Sequence, residues 1–242
     1  MDWGGSHSGM SIDDAKRLAG IAACDEVQSG MKVGLGTGST VHHTIVELAR
    51  RYHDEGLDIV GVPTSLATHA LATELGLPLV ELDDVEGLDL VIDGADEVDA
   101  SFQLIKGGGA ALLREKLVAQ ASAAMVVVAD DRKMVDTLGA FPLPIEITRF
   151  GHGTTLRAIM DLLGCKAAVR MDGDAPLVTD NGNFIVDAHT GPRLTDPVAT
   201  EAALLSLAGV VQVGLFIGMC DVVHLAGPSG AERLVCWSGR LT

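Results

Sequence analysis

The chain has 242 residues, enough to bury a sizeable core in one large domain or two unequal ones. Its net charge is −16, from 33 acidic against 17 basic residues, which argues against nucleic acid and anionic membrane surfaces as partners, since both want basic patches. No apolar run approaches the roughly 18–20 residues of a membrane span, and the start, MDWGGSHSGM, lacks the basic and apolar regions of a signal peptide. A cytoplasmic protein is expected, with a mobile glycine- and serine-rich tail over 1–10 and Met10 as an alternative start. The four cysteines are scattered without ligand spacing, so they read as reduced thiols filling apolar sites rather than a metal centre or disulfide framework. The acidity admits two readings, adaptation to high salt or ordinary drift, and it makes the few basic residues informative.

In chain order, Ser11 is an N-cap before a helix over 11–28, with Asp13 and Asp14 in its first turn and Gly30 beyond its end. Lys16 and Arg17 lie on that helix. A strand over 31–35 runs into Gly34-Leu-Gly-Thr-Gly-Ser-Thr40, followed by a helix over 41–51. Strand, glycine loop and helix make the geometry in which backbone N–H groups and a helix N-terminus receive a phosphate. The loop fits neither the dinucleotide fingerprint, which wants glycine where Ser39 stands, nor the Walker loop. What remains is a hydroxyl-rich turn, Thr37, Gly38, Ser39 and Thr40, suited to one phosphate monoester. Further strands are expected over 59–62, 79–82, 88–92 and 124–129, with a helix over 66–75 capped by Thr64-Ser65. Strands alternating with helices imply βαβ units and a mainly parallel sheet. Ligands bind such sheets at the carboxyl ends of the strands, where the glycine loop, Thr64-Ser65, the 93–96 turn and Lys133 all fall.

The texture changes after Asp136. Phe141-Pro-Leu-Pro144 is expected to break regular pairing and to cross between domains. Beyond it come a strand over 145–148, a helix over 154–163, a strand over 166–171, and a hairpin of 177–179 with 184–187 around Asn181-Gly182. Asp196-Pro197 starts a helix reaching 207, and a strand over 210–216 follows. This β-α-β-(hairpin)-α-β order resembles a ferredoxin-like unit. A strand over 222–226 is expected to rejoin the first sheet, with 236–242 loosely held. The fold class is therefore α/β: a mainly parallel Rossmann-like sheet flanked by helices, with a smaller inserted α+β ferredoxin-like domain. The expected division is 11–140 with 217–242 as the catalytic domain and 141–216 as the small one.

The densest chemistry lies in 91–116, VIDGADEVDASFQLIKGGGAALLREK. An apolar strand end delivers Asp93 and Asp96, with Gly94 and Ala95 between them. Lys106 then precedes Gly107, Gly108 and Gly109, and a helix carries Arg114, Glu115 and Lys116. Three consecutive glycines among so many ionisable groups suggest that backbone must approach a ligand closely. Glu97, Asp99 and Arg114 are expected to be structural.

These motifs resemble the ribose-5-phosphate isomerase A family: GLGTGST at 34–40, DGADEVD at 93–99, KGGGAALLREK at 106–116, the Ala129–Lys133 stretch, FPLPIEI at 141–147, VTDNGN at 178–183 and GVVQVGLF at 209–216. The resemblance implies reversible interconversion of D-ribose 5-phosphate and D-ribulose 5-phosphate, with no metal and no cofactor. It implies Glu115 as general base, and Asp93, Asp96 and Lys106 lining the sugar site. The 37–40 loop, Lys16 and Lys133 are implied substrate contacts, and a homodimer or homotetramer the assembly. Moving a proton between C1 and C2 through a cis-enediolate needs one carboxylate on one face of the sugar, preferably desolvated so that its pKa rises. The developing oxyanion needs a donor, Lys106 or an amide of Gly107–Gly109. A related sugar-phosphate isomerase or aminosugar-phosphate deaminase and a sugar-phosphate-sensing regulator are the alternatives. The first is disfavoured by KGGGAALLREK, the second by the lack of a DNA-binding motif and basic patch.

Overall fold

Buried strands alternate with capped helices across residues 10–236, which are those described by the computed structural model. The tail expected over 1–10 and the closing segment over 236–242 lie outside the described residues, apart from Met10 and Cys236. In chain order the first strands are β1 (Lys32–Leu35), β2 (Val60–Pro63), β3 (Leu90–Gly94), β4 (Glu97–Asp99), β5 (Leu104–Ile105), β6 (Met125–Asp130), β7 (Met134–Val135) and β8 (Leu143–Ile147). Then follow β9 (Lys166–Val169), β10 (Met171–Asp172), β11 (Ala175–Pro176), β12 (Phe184–His189), β13 (Val210–Val213), β14 (Leu215–Phe216), β15 (Val222–Gly227) and β16 (Gly230–Val235). The helices are α1 (Ile12–Ala22), α2 (Ser39–Glu55), α3 (Leu66–Glu74), α4 (Leu112–Ala121), α5 (His152–Leu163) and α6 (Pro197–Leu205).

The larger sheet has the order β16-β15-β6-β3-β1-β2, parallel throughout except for the β15–β16 edge. Its central strands are apolar on both faces, as a sheet covered on both sides requires. Ile92, Val126 and Val128 pack with Ile45 and Leu48 of α2, whereas Val91, Met125 and Val127 pack with Val118 of α4. Each such fully buried side chain contributes about 1.5–3 kcal/mol. The smaller sheet, order β13-β8-β12-β9, is antiparallel and has the βαββαβ connectivity of a ferredoxin-like unit, with α5 and α6 as its helices. The protein is thus mixed α/β, a mainly parallel six-stranded sheet with a smaller antiparallel one.

Several boundaries differ from expectation, each for a local reason. The first helix stops at Ala22 and tightens into a 3₁₀ turn over Ala23–Glu26. The second begins at Ser39, inside the glycine loop, and runs to Glu55, where Gly56 closes it in the left-handed conformation. Residues 79–82 form no strand. Leu79 makes one bridge to Gly61, and then the exposed acids lead into a 3₁₀ turn over Leu82–Asp84. Pro144 does not break pairing; it sits within β8 opposite Asp187, and its carbonyl, the one group it can offer, accepts from Gly214 N. The Asn181-Gly182 turn is present, but 177–179 is not a strand, because Thr179 Oγ1 takes the amides of Asn181 and Asn183. The strand expected over 166–171 divides at Arg170 and the one over 210–216 at Gly214, where the chain passes to another sheet. That sheet, β14-β5-β4-β7, and the edge strand β16 were not anticipated. Strands of two or three residues are too short for a periodic signal. The strand over 222–226 does rejoin the main sheet, pairing with β6.

Among the described residues, no helix is long and apolar enough to cross a membrane.

Candidate active site

The carboxyl ends of β1, β3 and β6 meet on one edge of the parallel sheet. There a cavity of about 250 Å³ is lined by Lys16, Thr37, Gly38, Ser39, Thr40, Gly94, Ala95, Asp96, Lys106, Gly107, Gly108, Gly109, Glu115 and Lys133. Every residue that the sequence suggested for the site lies on this wall except Asp93 and the strand-end pair Thr64-Ser65. Asp93 is fully buried at the end of β3, directly behind Lys106.

Two glycine loops make the wall possible. A side chain at Gly36 would place its Cβ 2.3 Å from Asp93 Oδ1, and one at Gly108 would meet Asp96 Oδ1 at 2.5 Å. Both positions admit only hydrogen. Asp93 Oδ1 accepts the amides of Thr37 at 3.1 Å and Gly94 at 2.8 Å, so it ties the first loop to β3. Asp96 Oδ2 accepts the Gly108 amide at 2.7 Å and ties the second loop to the same turn. Ala110 closes the triple-glycine turn by donating to Gly107 O at 3.0 Å, at the cost of a left-handed φ of 58°.

Lys106 is the electrostatic centre. Its ammonium, 2% exposed, donates to Gly94 O and lies 3.1 Å from Asp93 Oδ2 and 3.3 Å from Glu115 Oε1. It thus makes one hydrogen bond, to Gly94 O, and two ion pairs; Asp93 Oδ2 itself has no hydrogen bond among the described residues. Burial pulls the Lys106 pKa down, but the facing carboxylates Asp93 and Glu115 outweigh it and hold the pKa above the usual lysine value.

Glu115 sits in the first turn of α4, 4% exposed, with Oε2 unpartnered among the described residues. Burial first, then repulsion from Asp93, pushes its carboxyl up to about 8, against the attraction of Lys106. A carboxyl with a free lone pair, poised near neutrality at a cavity wall, has the chemistry of a general acid–base group.

The phosphate-side expectation needs one refinement. Thr37 Oγ1 does not reach into the cavity as a free donor; it bonds Thr64 Oγ1 and Ser65 Oγ, each at 2.8 Å. Thr68 Oγ1 donates to Gly36 O at 2.8 Å. This cluster of hydroxyls, in which Ser65 also caps α3, buttresses the loop from behind. Thr64-Ser65, expected both to cap the helix and to lie on the ligand edge, thus stands behind the glycine loop rather than on the cavity wall. Thr68 had no assigned role, and the repeated hydroxyls beside a glycine loop were the available signal. Ser39 and Thr40, by contrast, open α2, whose first N–H groups lack intrahelical partners. Lys16 and Lys133 add positive charge to the same wall.

The charged residues expected to be structural have structural partners. Glu97 accepts the amides of Gly139 and Phe141. Asp99 accepts those of Ser101 and Gln103. Arg114 donates to Asn181 Oδ1 and Asp180 O. Lys116, for which no role was expected, is buried against Glu201, Gln212 and the carbonyls of Val213 and Leu215.

Comparison with known proteins shows the family. Residues 60–230 match the family described as Ribose 5-phosphate isomerase A (phosphoriboisomerase A). The chain is 53% identical over 229 residues to ribose-5-phosphate isomerase A of Cereibacter sphaeroides, covering 92% of this chain and 87% of that protein. It is 50% identical to the Rhodopseudomonas palustris enzyme, covering 93% and 99%. Among solved structures, it superposes on a D-ribose-5-phosphate isomerase in complex with phospho-erythronic acid with a TM-score of 0.90, at 38% identity, over 93% of this chain and 100% of that one. The Methanocaldococcus jannaschii ribose 5-phosphate isomerase A gives 0.88 at 36% identity, covering 93% and 100%.

Proposed function

The chain belongs to the ribose-5-phosphate isomerase A family, and from that premise we propose that Glu115 is the base that moves the proton between C2 and C1 of the sugar phosphate. The protein is a ribose-5-phosphate isomerase, interconverting D-ribose 5-phosphate and D-ribulose 5-phosphate. The observation that carries the proposal is the unpartnered, buried Oε2 of Glu115 at the cavity wall.

In this mechanism Glu115 Oε2 takes the C2 proton of the open-chain aldose. The electron pair of the C–H bond forms the C1–C2 double bond, and the carbonyl π pair moves onto O1. Glu115 then returns its proton to C1 on the same face while O2 becomes the ketone, its hydroxyl proton passing to O1. Asp96, on the cavity wall, is assigned to hydroxyl handling and ring opening. Asp93, fully buried, is assigned to holding Lys106. Lys106 keeps Glu115 in place and offsets charge that develops beside it. Ser39, Thr40, Lys16 and Lys133 are assigned to the phosphate, whose binding energy presents the reacting carbons to Glu115.

Glu115→Gln tests the assignment: kcat is expected to fall by at least a factor of about 10³, with KM little changed. Activity within tenfold of the parent enzyme would remove Glu115 as the base. Phospho-erythronic acid, carried over from the similar structure, is expected to inhibit competitively, because its carboxylate presents charged oxygens where the enediolate would. The family resemblance further supports a cytoplasmic homodimer or homotetramer with the division into 11–140 plus 217–242 and 141–216. Sedimentation velocity and limited proteolysis test assembly and division.

A further inference from the structure

Arg170 lies between β9 and β10, outside the cavity wall, with its side chain 16% exposed. Its guanidinium spans two sets of acceptors. Nε and Nη2 donate to the two carboxylate oxygens of Asp187 on β12, at 2.8 and 2.6 Å. Nη1 donates to the carbonyl oxygens of Gly107 at 2.9 Å and Gly108 at 3.0 Å. A side chain from the link after β9 thus grips the back of the triple-glycine turn.

That grip has a consequence on the cavity side. In a trans peptide the C=O and the following N–H point in opposite directions. With Gly107 C=O held at Arg170, the Gly108 N–H is turned the other way, where it donates to Asp96 at 2.7 Å. With Gly108 C=O held likewise, the Gly109 N–H is turned away from Arg170. Gly109 lines the cavity, and among the described residues its amide has no partner. Lys106 donates to Gly94 and is ion-paired with Asp93 and Glu115, and the Gly109 amide is a further donor, free to meet a developing oxyanion.

We propose that Arg170, itself fixed by Asp187, is a positioning residue for the isomerisation, aiming the Gly109 amide at the oxygen that takes up the enediolate charge. A cation at the carbonyl end of the 107–109 peptides also polarises them, which strengthens their amides as donors. Lysine cannot replace it, since one ammonium cannot hold a bidentate carboxylate and two carbonyls in the same plane. The inference rests on the isomerase mechanism above and adds a donor to it.

The test compares Arg170→Ala, Arg170→Lys and Asp187→Asn for kcat, KM and inhibition by phospho-erythronic acid, with thermal unfolding measured in parallel. A preorganised donor acts on the transition state, so kcat is expected to fall roughly 10- to 100-fold in Arg170→Ala while KM moves far less. Affinity for the carboxylate inhibitor falls with kcat, Arg170→Lys recovers only part, and guanidinium ion at low millimolar concentration restores turnover to Arg170→Ala. Should that variant fail to fold, Asp187→Asn, which keeps shape and removes the charge, is read the same way. An unchanged kcat, or a loss explained by unfolding and unresponsive to guanidinium, overturns the positioning role. Glu115→Gln is assayed beside them. If it is active, the base assignment fails; if it is inactive while Arg170→Ala is fully active, only the Arg170 inference fails.

Discussion

Replacing Glu115 by glutamine is expected to stabilise the protein, and to do so in a pH-dependent way. In the folded state burial and Asp93 lift the Glu115 carboxyl from 4.5 to about 8. Between those values the folded protein holds a proton on Glu115 that the unfolded chain has released, so stability is full below about pH 4.5 and is lost as pH rises through about 8. That gap, at about 1.4 kcal/mol per pH unit, corresponds to about 5 kcal/mol of stability forgone once the carboxylate is ionised. Glutamine fills the same space without the charge. The difference in unfolding free energy between Glu115→Gln and the parent protein should be near zero at pH 4.5–5. It should open to several kcal/mol by pH 9. Urea unfolding followed by circular dichroism across that range measures it, and taking the difference cancels groups that titrate alike in both proteins. A difference that stays flat, or closes as pH rises, would mean that Glu115 titrates as an ordinary carboxyl and would refute the reasoning. The same pKa predicts that kcat/KM of the parent enzyme climbs with pH through about 8, because the base must be ionised to abstract a proton.

Ser39→Ala should raise KM for ribose 5-phosphate roughly tenfold, the worth of one hydrogen bond to a charged group, with kcat largely kept. Thr37→Val should lower stability by about 1–3 kcal/mol through the lost bonds to Thr64 and Ser65, and a steady-state assay with urea titration separates the two. Gly36→Ala forces a methyl against Asp93 Oδ1 and the Asp93 backbone, at 2.3 and 2.6 Å. It is expected to cost about 1–3 kcal/mol together with most turnover; an active, equally stable variant would show that the loop yields. Lys116→Met strips the donor from Gln212, Val213 O and Leu215 O. It should cost about 3 kcal/mol, because Glu201 is partly exposed and can regain water, while kcat per folded molecule stays near the parent value.

How much of this was legible in the sequence depended on the length of the signal. Long apolar strands such as β6 and capped helices such as α3 and α6 have periodicity and cap chemistry that survive any tertiary context, and the carboxyl-end rule then placed both glycine loops on one edge. The two- and three-residue strands β4, β5, β7 and β14 have no period to read; they exist because the chain must thread between the two larger sheets. Thr179 differs for a related reason: its hydroxyl accepts the amides of Asn181 and Asn183 in the turn and donates to the buried Glu146 on β8, a long-range contact that no local pattern signals.

At the site, composition located the charges, and geometry determined which of them have anything left to give. DGAD and KGGG predicted that Asp93, Asp96 and Lys106 would gather, and they do. Spacing alone cannot say that Asp93 is wholly enclosed while Asp96 faces the cavity, or that Lys106 donates to Gly94 and sits between Asp93 and Glu115. A buried ammonium between two carboxylates holds them and tempers their repulsion. A glycine turn can add a backbone donor for the enediolate only if something fixes the direction of its peptides. Arg170 lies more than fifty residues from that turn in sequence, between β9 and β10, which is why no local motif announced it.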